Sequence, residues 1–291
     1  MTAILRLTPA DGGFARIVEG IALHEPQDEK TREALDLALA EHGVLVFRRQ
    51  ALSEAELAEA ASWFGVLELI VREDWASKYQ PEITYISNMR SPGGDTIGGI
   101  GQGELAWHSD QSYMTEPATG SLLYCVESRS GQAPTSWANL EAAYAALDDD
   151  TKARIDGRRG VFSYAVRVAG YGEIDKMAEE EIRRRTPDVT HPLVHTHPVT
   201  GRKALYLDPG TMSGIEGMET DEGRALLDRL IAHATEPRFV YRHHWQVGDT
   251  VLWDNGFLLH KRDDFDPAQN RWLKRATFRP SPARHIVPGH A

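Results

Sequence analysis

The chain has 291 residues, 41% hydrophobic and 26% charged, enough for one large domain with a sizeable core and an ordinary composition for a soluble globular protein. Its formal net charge of −11 argues against a wide basic face, so nucleic acid is not expected as a partner. The single cysteine, Cys125, excludes an intrachain disulfide. No stretch approaches the ~20 apolar residues of a membrane span, and the start of the chain has no signal-like apolar run, so a cytoplasmic protein without a membrane partner is expected.

The first elements read as helix, strand and helix. Apolar spacing at Leu35, Leu37, Ala38 and Leu39 predicts a helix over Glu29 to His42, stopped by Gly43. Val44 to Phe47 follows as a short buried strand. Ser53 caps a second amphipathic helix running to Phe64, with Glu56 at the capping-box position. From Ile83 the period changes. Ile83–Ser87, Ser121–Glu127, Gly160–Val166, Ala204–Leu207, Arg238–Arg242 and Thr250–Trp253 all read as strands. Cys125 falls in one of these runs and reads as a small core residue. Two helical patterns interrupt them. Ile174 to Arg185 is strongly charged and fits the surface or the mouth of a site, whereas Glu222 to Thr235 is amphipathic and fits a sheet face. Ser281 to Ala291 reads as a poorly ordered tail. Short strands with Gly, Pro and Asp turns suggest a sandwich or barrel. No repeat or linker divides the chain, so a single domain over residues 1–291 is expected.

His108-Ser109-Asp110 and the distant His260 carry the chemistry. Positions two apart on a strand face one side, so His108 and Asp110 can be aimed at one ion. His260 lies just beyond the strand at Thr250–Trp253 and the turn Asp254-Asn255-Gly256. Two imidazoles and one carboxylate hold ferrous iron and leave the opposite face open. The same set also accepts zinc, but a zinc hydrolase needs a general base that no motif here singles out. Arg271 and Arg275 stand 11 and 15 residues after His260. They share parity, so on one strand both guanidiniums face one side and suit a dicarboxylate.

With these residues the chain resembles the TauD/TfdA family of Fe(II)/2-oxoglutarate-dependent dioxygenases. The likeness also runs through Trp107, Thr135-Ser136-Trp137-Ala138-Asn139, Ala143-Tyr144, His191-Pro192-Leu193-Val194, His197-Pro198, Gly201 to Tyr206 and Leu252 to Asn255, in family order over most of the chain. The resemblance implies a mainly β fold with a double-stranded β-helix (jelly-roll) core and flanking helices. It implies Fe(II) on His108, Asp110 and His260, with 2-oxoglutarate chelating the metal and Thr135 and Arg271 holding its far carboxylate. Arg275 would contact an anionic substrate group or the co-substrate. O2 is then consumed with release of succinate and CO2, and an unactivated C–H bond of a small molecule is hydroxylated. Desaturation or cyclisation in natural-product biosynthesis would use the same chemistry. A non-catalytic jelly-roll binding protein stands as the reading from another class, disfavoured by the complete residue set. Homo-oligomers are common in the family, and no interface is legible here.

Three segments depart from the pattern or add to it. Gly131-Gln132-Ala133-Pro134 stands where relatives carry Gly-Gly-Asp before the threonine. Glu68 falls where a sulfonate-binding member carries a histidine; a carboxylate there argues against sulfonate and phenoxyacetate substrates and suggests an amine or hydroxyl partner. The glycine-rich run Met89 to Gly103 lacks a phosphate-loop signature and reads as a lid or a plain loop.

Overall fold

The computed structural model describes residues 5–69, 75–100, 105–129, 132–170 and 176–289. An eight-stranded sheet forms one wall. Its order is β1 (Arg6–Pro9), β2 (Arg16–Glu19), β3 (Val44–Phe47), β14 (Thr250–Asp254), β6 (Gly120–Ser128), β16 (Arg271–Arg279) and β4 (Val66–Leu67), with β5 (Ile83–Ser87) also on β16. A three-stranded sheet, β13 (Val240–His243), β7 (Thr135–Asn139) and β15 (Leu258–Arg262), faces it. β12 (Met212–Ile215), β8 (Arg159–Phe162) and β9 (Val189–Pro192) make a third sheet, and β10 (Val194–Thr196) and β11 (Lys203–Leu205) a hairpin. This is the jelly-roll architecture that the strand pattern and the resemblance imply.

Alternation along the strands divides the core. On the large sheet Leu45, Phe47, Leu122, Leu252, Ala276 and Phe278 face outward and are covered by α1 (Glu29–His42) and α2 (Glu54–Ser62). Val44, Val46, Leu123, Cys125, Val251, Trp253 and Leu273 face inward and meet Trp137 and Tyr241 of the small sheet. A third cluster packs α3 (Leu140–Ala145) and α7 (Thr220–Ala234) beside the small sheet. The remaining helices are α4 (Asp149–Ile155), α5 (Tyr164–Ala169) and α6 (Lys176–Arg185).

Both N-terminal helices match their sequence signals. α1 ends at Gly43, whose φ of 72° suits glycine and where a Cβ would stand 2.8 Å from the Phe257 ring. α2 has the Ser53–Glu56 capping box in full. Two expectations fail. The run Gly160–Val166 is a strand only to Phe162; after Ser163 it becomes α5, because β8 pairs with β9 and β12 and the chain then turns away. Its Val and aromatic content signals burial and does not fix a backbone state.

The C-terminal segment is not a loose tail over its described part. Ile286 and Val287 are 3% and 4% exposed, and a Cβ on Gly256 would come within 2.4 Å of the Ile286 carbonyl oxygen. His285 anchors it. Nδ1–H donates to Asp254 at 2.8 Å and Nε2–H donates to Asp36 of α1 at 2.8 Å, while Arg284 also pairs with Asp36. Burial opposes a charged imidazole, but the two carboxylates prevail and push the pKa up to about 9. Ile286 and Val287 are the large apolar residues of this segment, too few to mark it as packed, and its partners lie in α1 and β14.

The sign of the pH effect follows. The folded pKa of His285 lies above its ordinary value, so its contribution is fully present below about pH 6.5 and is lost as pH rises through about 9. His285→Gln is expected to cost on the order of 3 kcal/mol at neutral pH, the scale of breaking a buried ion pair. Urea unfolding of both proteins from pH 6 to 10 should show this difference shrinking as pH rises from about 6.5 and nearly gone by about 9; a constant difference contradicts the assignment.

Candidate metal centre

His108 and His260 are drawn together by main-chain hydrogen bonds. His108 N–H donates to the His260 carbonyl at 2.9 Å and His260 N–H to the His108 carbonyl at 2.8 Å. Their ring centroids are 4.1 Å apart. His108 therefore extends the small sheet at the β15 edge by a single bridge. Asp110 does not continue a strand, as its spacing from His108 suggested. It opens a turn, followed by Gln111 at φ 56°. The turn still brings Asp110 Oδ2 to 3.9 Å from His260 Nε2, and the donor atoms of His108, Asp110 and His260 all lie within 4.8 Å of one another.

The proton arrangement suits a cation. His108 Nδ1–H donates to the Ala106 carbonyl at 2.9 Å, so the lone pair of Nε2 is available. Burial, reinforced by the neighbouring charge of His260, pushes His108 down to about 4. Burial likewise pushes His260 down to about 4, against the pull of Asp110. Burial also opposes the charge of Asp110, but the Arg275 guanidinium and the two imidazoles outweigh it and hold the carboxyl well below its ordinary range. Two neutral imidazoles and an ionised carboxylate form a facial set for a divalent transition metal.

Neighbouring groups fix the carboxylate. Ser121 Oγ–H and Asn255 Nδ2–H donate to Asp110 Oδ2, each at 3.4 Å, and Arg275 reaches both oxygens at 3.3 Å. Asn255 is itself held by Trp253 Nε1–H at 2.8 Å. A second His/Asp set, His197, Asp254 and His285, also places its donor atoms within 4.8 Å. It does not suit a metal. Both ring nitrogens of His285 face carboxylates, and His197 Nδ1 accepts from the Val199 and Thr200 N–H groups, which leaves its proton on Nε2.

Beside the first set is a cavity lined by His108, His260, Thr135, Arg271 and Arg275, with Ile86, Leu123, Trp253 and Arg262. The parity argument holds: Arg271 and Arg275 share the inward face of β16 with Leu273. Arg262 escaped the sequence reading although it sits two residues after His260 on the same strand face, and only 6% of it is exposed. Arg262 and Arg271 both stand over the Phe265 ring. Thr135 accepts a hydrogen bond from Trp245 Nε1–H at 2.9 Å.

Glu68 stands apart from this group. It pairs with Arg279 at 2.9 Å and does not line the cavity. Its charge is answered within the protein, so the argument from repulsion against sulfonates and phenoxyacetates loses its basis. The glycine-rich run lies partly outside the described residues, at 101–103; its Gly99 bridges Ile86 beside β5, a tethered loop rather than a free one.

The chain matches the model of the family described as taurine catabolism dioxygenase TauD, TfdA family, over residues 4–277, and it belongs to that family. It is 35% identical over 275 residues to the alpha-ketoglutarate-dependent 2,4-dichlorophenoxyacetate dioxygenase of Cupriavidus pinatubonensis, covering 91% of this chain and 94% of that one. It is 32% identical over 303 residues to the (S)-phenoxypropionate/alpha-ketoglutarate-dioxygenase of Sphingobium herbicidovorans, across 100% of both. The crystal structure of AAD-2 in complex with Mn(II) and N-oxalylglycine superposes with a TM-score of 0.80 at 30% identity, covering 98% of this chain and 100% of that one. Among the described residues no helix is long and apolar enough to cross a membrane.

Depressed histidine pKa values predict an unusual pH profile for metal uptake. Mn(II) affinity of the apoprotein should stay nearly level down to about pH 5 and fall as pH drops through about 4, where His108 and His260 take up protons. Calorimetric titration across this range checks it; loss of binding near the ordinary histidine value of about 6.5 speaks against buried, neutral imidazoles.

Proposed function

We propose that His108, Asp110 and His260 hold the iron(II) of a 2-oxoglutarate-dependent dioxygenase, and that Thr135 and Arg271 hold the far carboxylate of 2-oxoglutarate. The observation that carries this reading is the pairing of one facial donor set with one cavity in which Thr135 and Arg271 stand together. When bound, iron(II) with 2-oxoglutarate and O2 supplies the oxidation of an unactivated C–H bond, with release of succinate and CO2.

The protein's part is orientation and exclusion. His108 and His260 present neutral nitrogens because burial denies them protons. Asp110 is kept ionised by Arg275 and oriented by Asn255 and Ser121. Arg271 offers two parallel N–H donors suited to a carboxylate, and Thr135 adds a hydroxyl. Ile86, Leu123 and Trp253 form apolar wall, which keeps water from the reacting atoms. Arg275 faces the donor set and is placed to meet an anionic substrate group once a metal shares the charge of Asp110. A small carboxylic acid is therefore the substrate class, in line with the phenoxy acids named for the two relatives. Neither nucleic acid nor membrane enters this reading. One domain spans residues 1–291, supported by the placing of β14 between β3 and β6. A requirement for iron(II) and 2-oxoglutarate fits a cytoplasmic enzyme.

Anaerobic addition of Fe(II) and 2-oxoglutarate should produce the weak visible charge-transfer band of a chelated 2-oxo acid. His108→Ala should abolish the band. Arg271→Ala should weaken 2-oxoglutarate binding on the order of 100-fold, the scale of losing a buried charge-assisted pair. With oxygen and a phenoxyalkanoic acid, succinate should form in step with substrate loss. A folded, iron-loaded protein that gives no band refutes the assignment and favours a binding protein.

A further inference from the structure

Trp245 is wholly buried, and its indole N–H can only donate. It donates to Thr135 Oγ1 at 2.9 Å, inside the protein. A threonine hydroxyl has one proton to give and lone pairs to receive with. Because Trp245 occupies a lone pair, the Thr135 proton must point elsewhere. This is the only side-chain hydrogen bond of Thr135 among the described residues. The main-chain groups flanking Thr135 are engaged in β7, which pairs with β13 on one side and β15 on the other. The open direction is the cavity, which Thr135 shares with Arg271.

The indole is itself held in place. His243 packs edge-on against it at 4.7 Å and 83°. His243 Nε2–H donates to Asp249 at 3.0 Å, and its Nδ1 accepts from Tyr241 O–H at 2.9 Å. Asp249 also accepts from Arg48 at 2.5 Å and from the Gln246 N–H at 2.9 Å. The carboxylate of Asp249 can only accept, which fixes the His243 tautomer, and the His243 ring in turn holds the indole by packing.

We propose that Trp245 is a positioning residue that biases the polarity of Thr135, filling one lone pair of its hydroxyl so that the proton is turned away from the indole and toward the carboxylate of the co-substrate. The inference rests on the co-substrate assignment above. A hydroxyl free to rotate can offer either a proton or a lone pair, and a lone pair facing a carboxylate repels it. With one lone pair taken by the indole N–H, a carboxylate draws the Thr135 proton toward the cavity, Thr135 and Arg271 both present donors, and the far end of the cavity selects an anion. Trp245 never touches the ligand.

Trp245→Phe keeps an aromatic ring but removes the N–H together with part of the indole, so a second ligand is needed to report any loss of packing. Binding is read by calorimetry on the Mn(II)-loaded protein with two ligands: 2-oxoglutarate, and oxalate, which chelates a metal but has no distal carboxylate. Trp245→Phe should weaken 2-oxoglutarate about tenfold, the scale of one hydrogen bond to a charged group. Oxalate affinity should not change. Thr135→Val should weaken 2-oxoglutarate by a similar factor, and the double variant should be no weaker than Thr135→Val alone, because the tryptophan acts only through the hydroxyl. Unchanged 2-oxoglutarate affinity in Trp245→Phe overturns the proposal. So does equal weakening of both ligands, or additive losses in the double variant, since either means a packing role. If the wild type binds Mn(II) and oxalate but no 2-oxoglutarate, the co-substrate assignment itself falls, and the role of Trp245 with it.

Discussion

Asp110 carries its negative charge where little water can reach, and the centre is built to answer that charge. An isolated buried carboxylate would take up a proton. Here Arg275 reaches both oxygens, and Ser121 and Asn255 donate to one of them, so the ionised form prevails. The same burial has the opposite consequence for the two imidazoles, which are held neutral. Exclusion of water thus keeps the two imidazoles neutral, and the donors around Asp110 keep it ionised against the same burial.

β14 connects this centre to the rest of the molecule. It lies between β3 and β6 in the large sheet and has a buried aspartate at each end. Asp249, just before the strand, gathers Arg48, His243 and the Gln246 N–H, and the His243 ring packs against Trp245, which donates to Thr135. Asp254, its last residue, is bound by His285 and precedes Asn255, which donates to Asp110. Each charge would be costly if unpaired, so each network is satisfied throughout. The strand thereby ties the Thr135 end of the cavity and the Asp110 end to one rigid element, the condition for holding groups to within a fraction of an ångström.

Net charge and local charge diverge. The chain is acidic overall, yet the cavity walls carry Arg262, Arg271 and Arg275. A focused positive cavity in a negative protein draws small anions inward without attracting polyanions to the surface. Glu68 belongs to the outer pattern. It pairs with Arg279 and does not line the cavity.

The sequence by itself determined the local elements whose signals are short-range. The Ser53–Glu56 capping box and the Gly43 stop require only neighbours in the chain, and both stand as read. It also singled out His108, Asp110, His260, Thr135, Arg271 and Arg275, because donor types at strand spacing resemble a known family, and the structure brings all six together. Parity placed Arg271 and Arg275 on one face, but parity failed for Asp110, which reaches the site through a turn. Other features were decided only by tertiary structure. Arg262 carried no mark in the sequence, and only its strand face shows it to be buried at the cavity. Glu68 found Arg279, and His285 found Asp36 and Asp254, partners distant in the chain. Trp245 could not be tied to Thr135 across 110 positions. Such pairs leave no periodic trace, because what selects them is the cost of an unpaired polar group in the core, and that cost exists only once the core has formed.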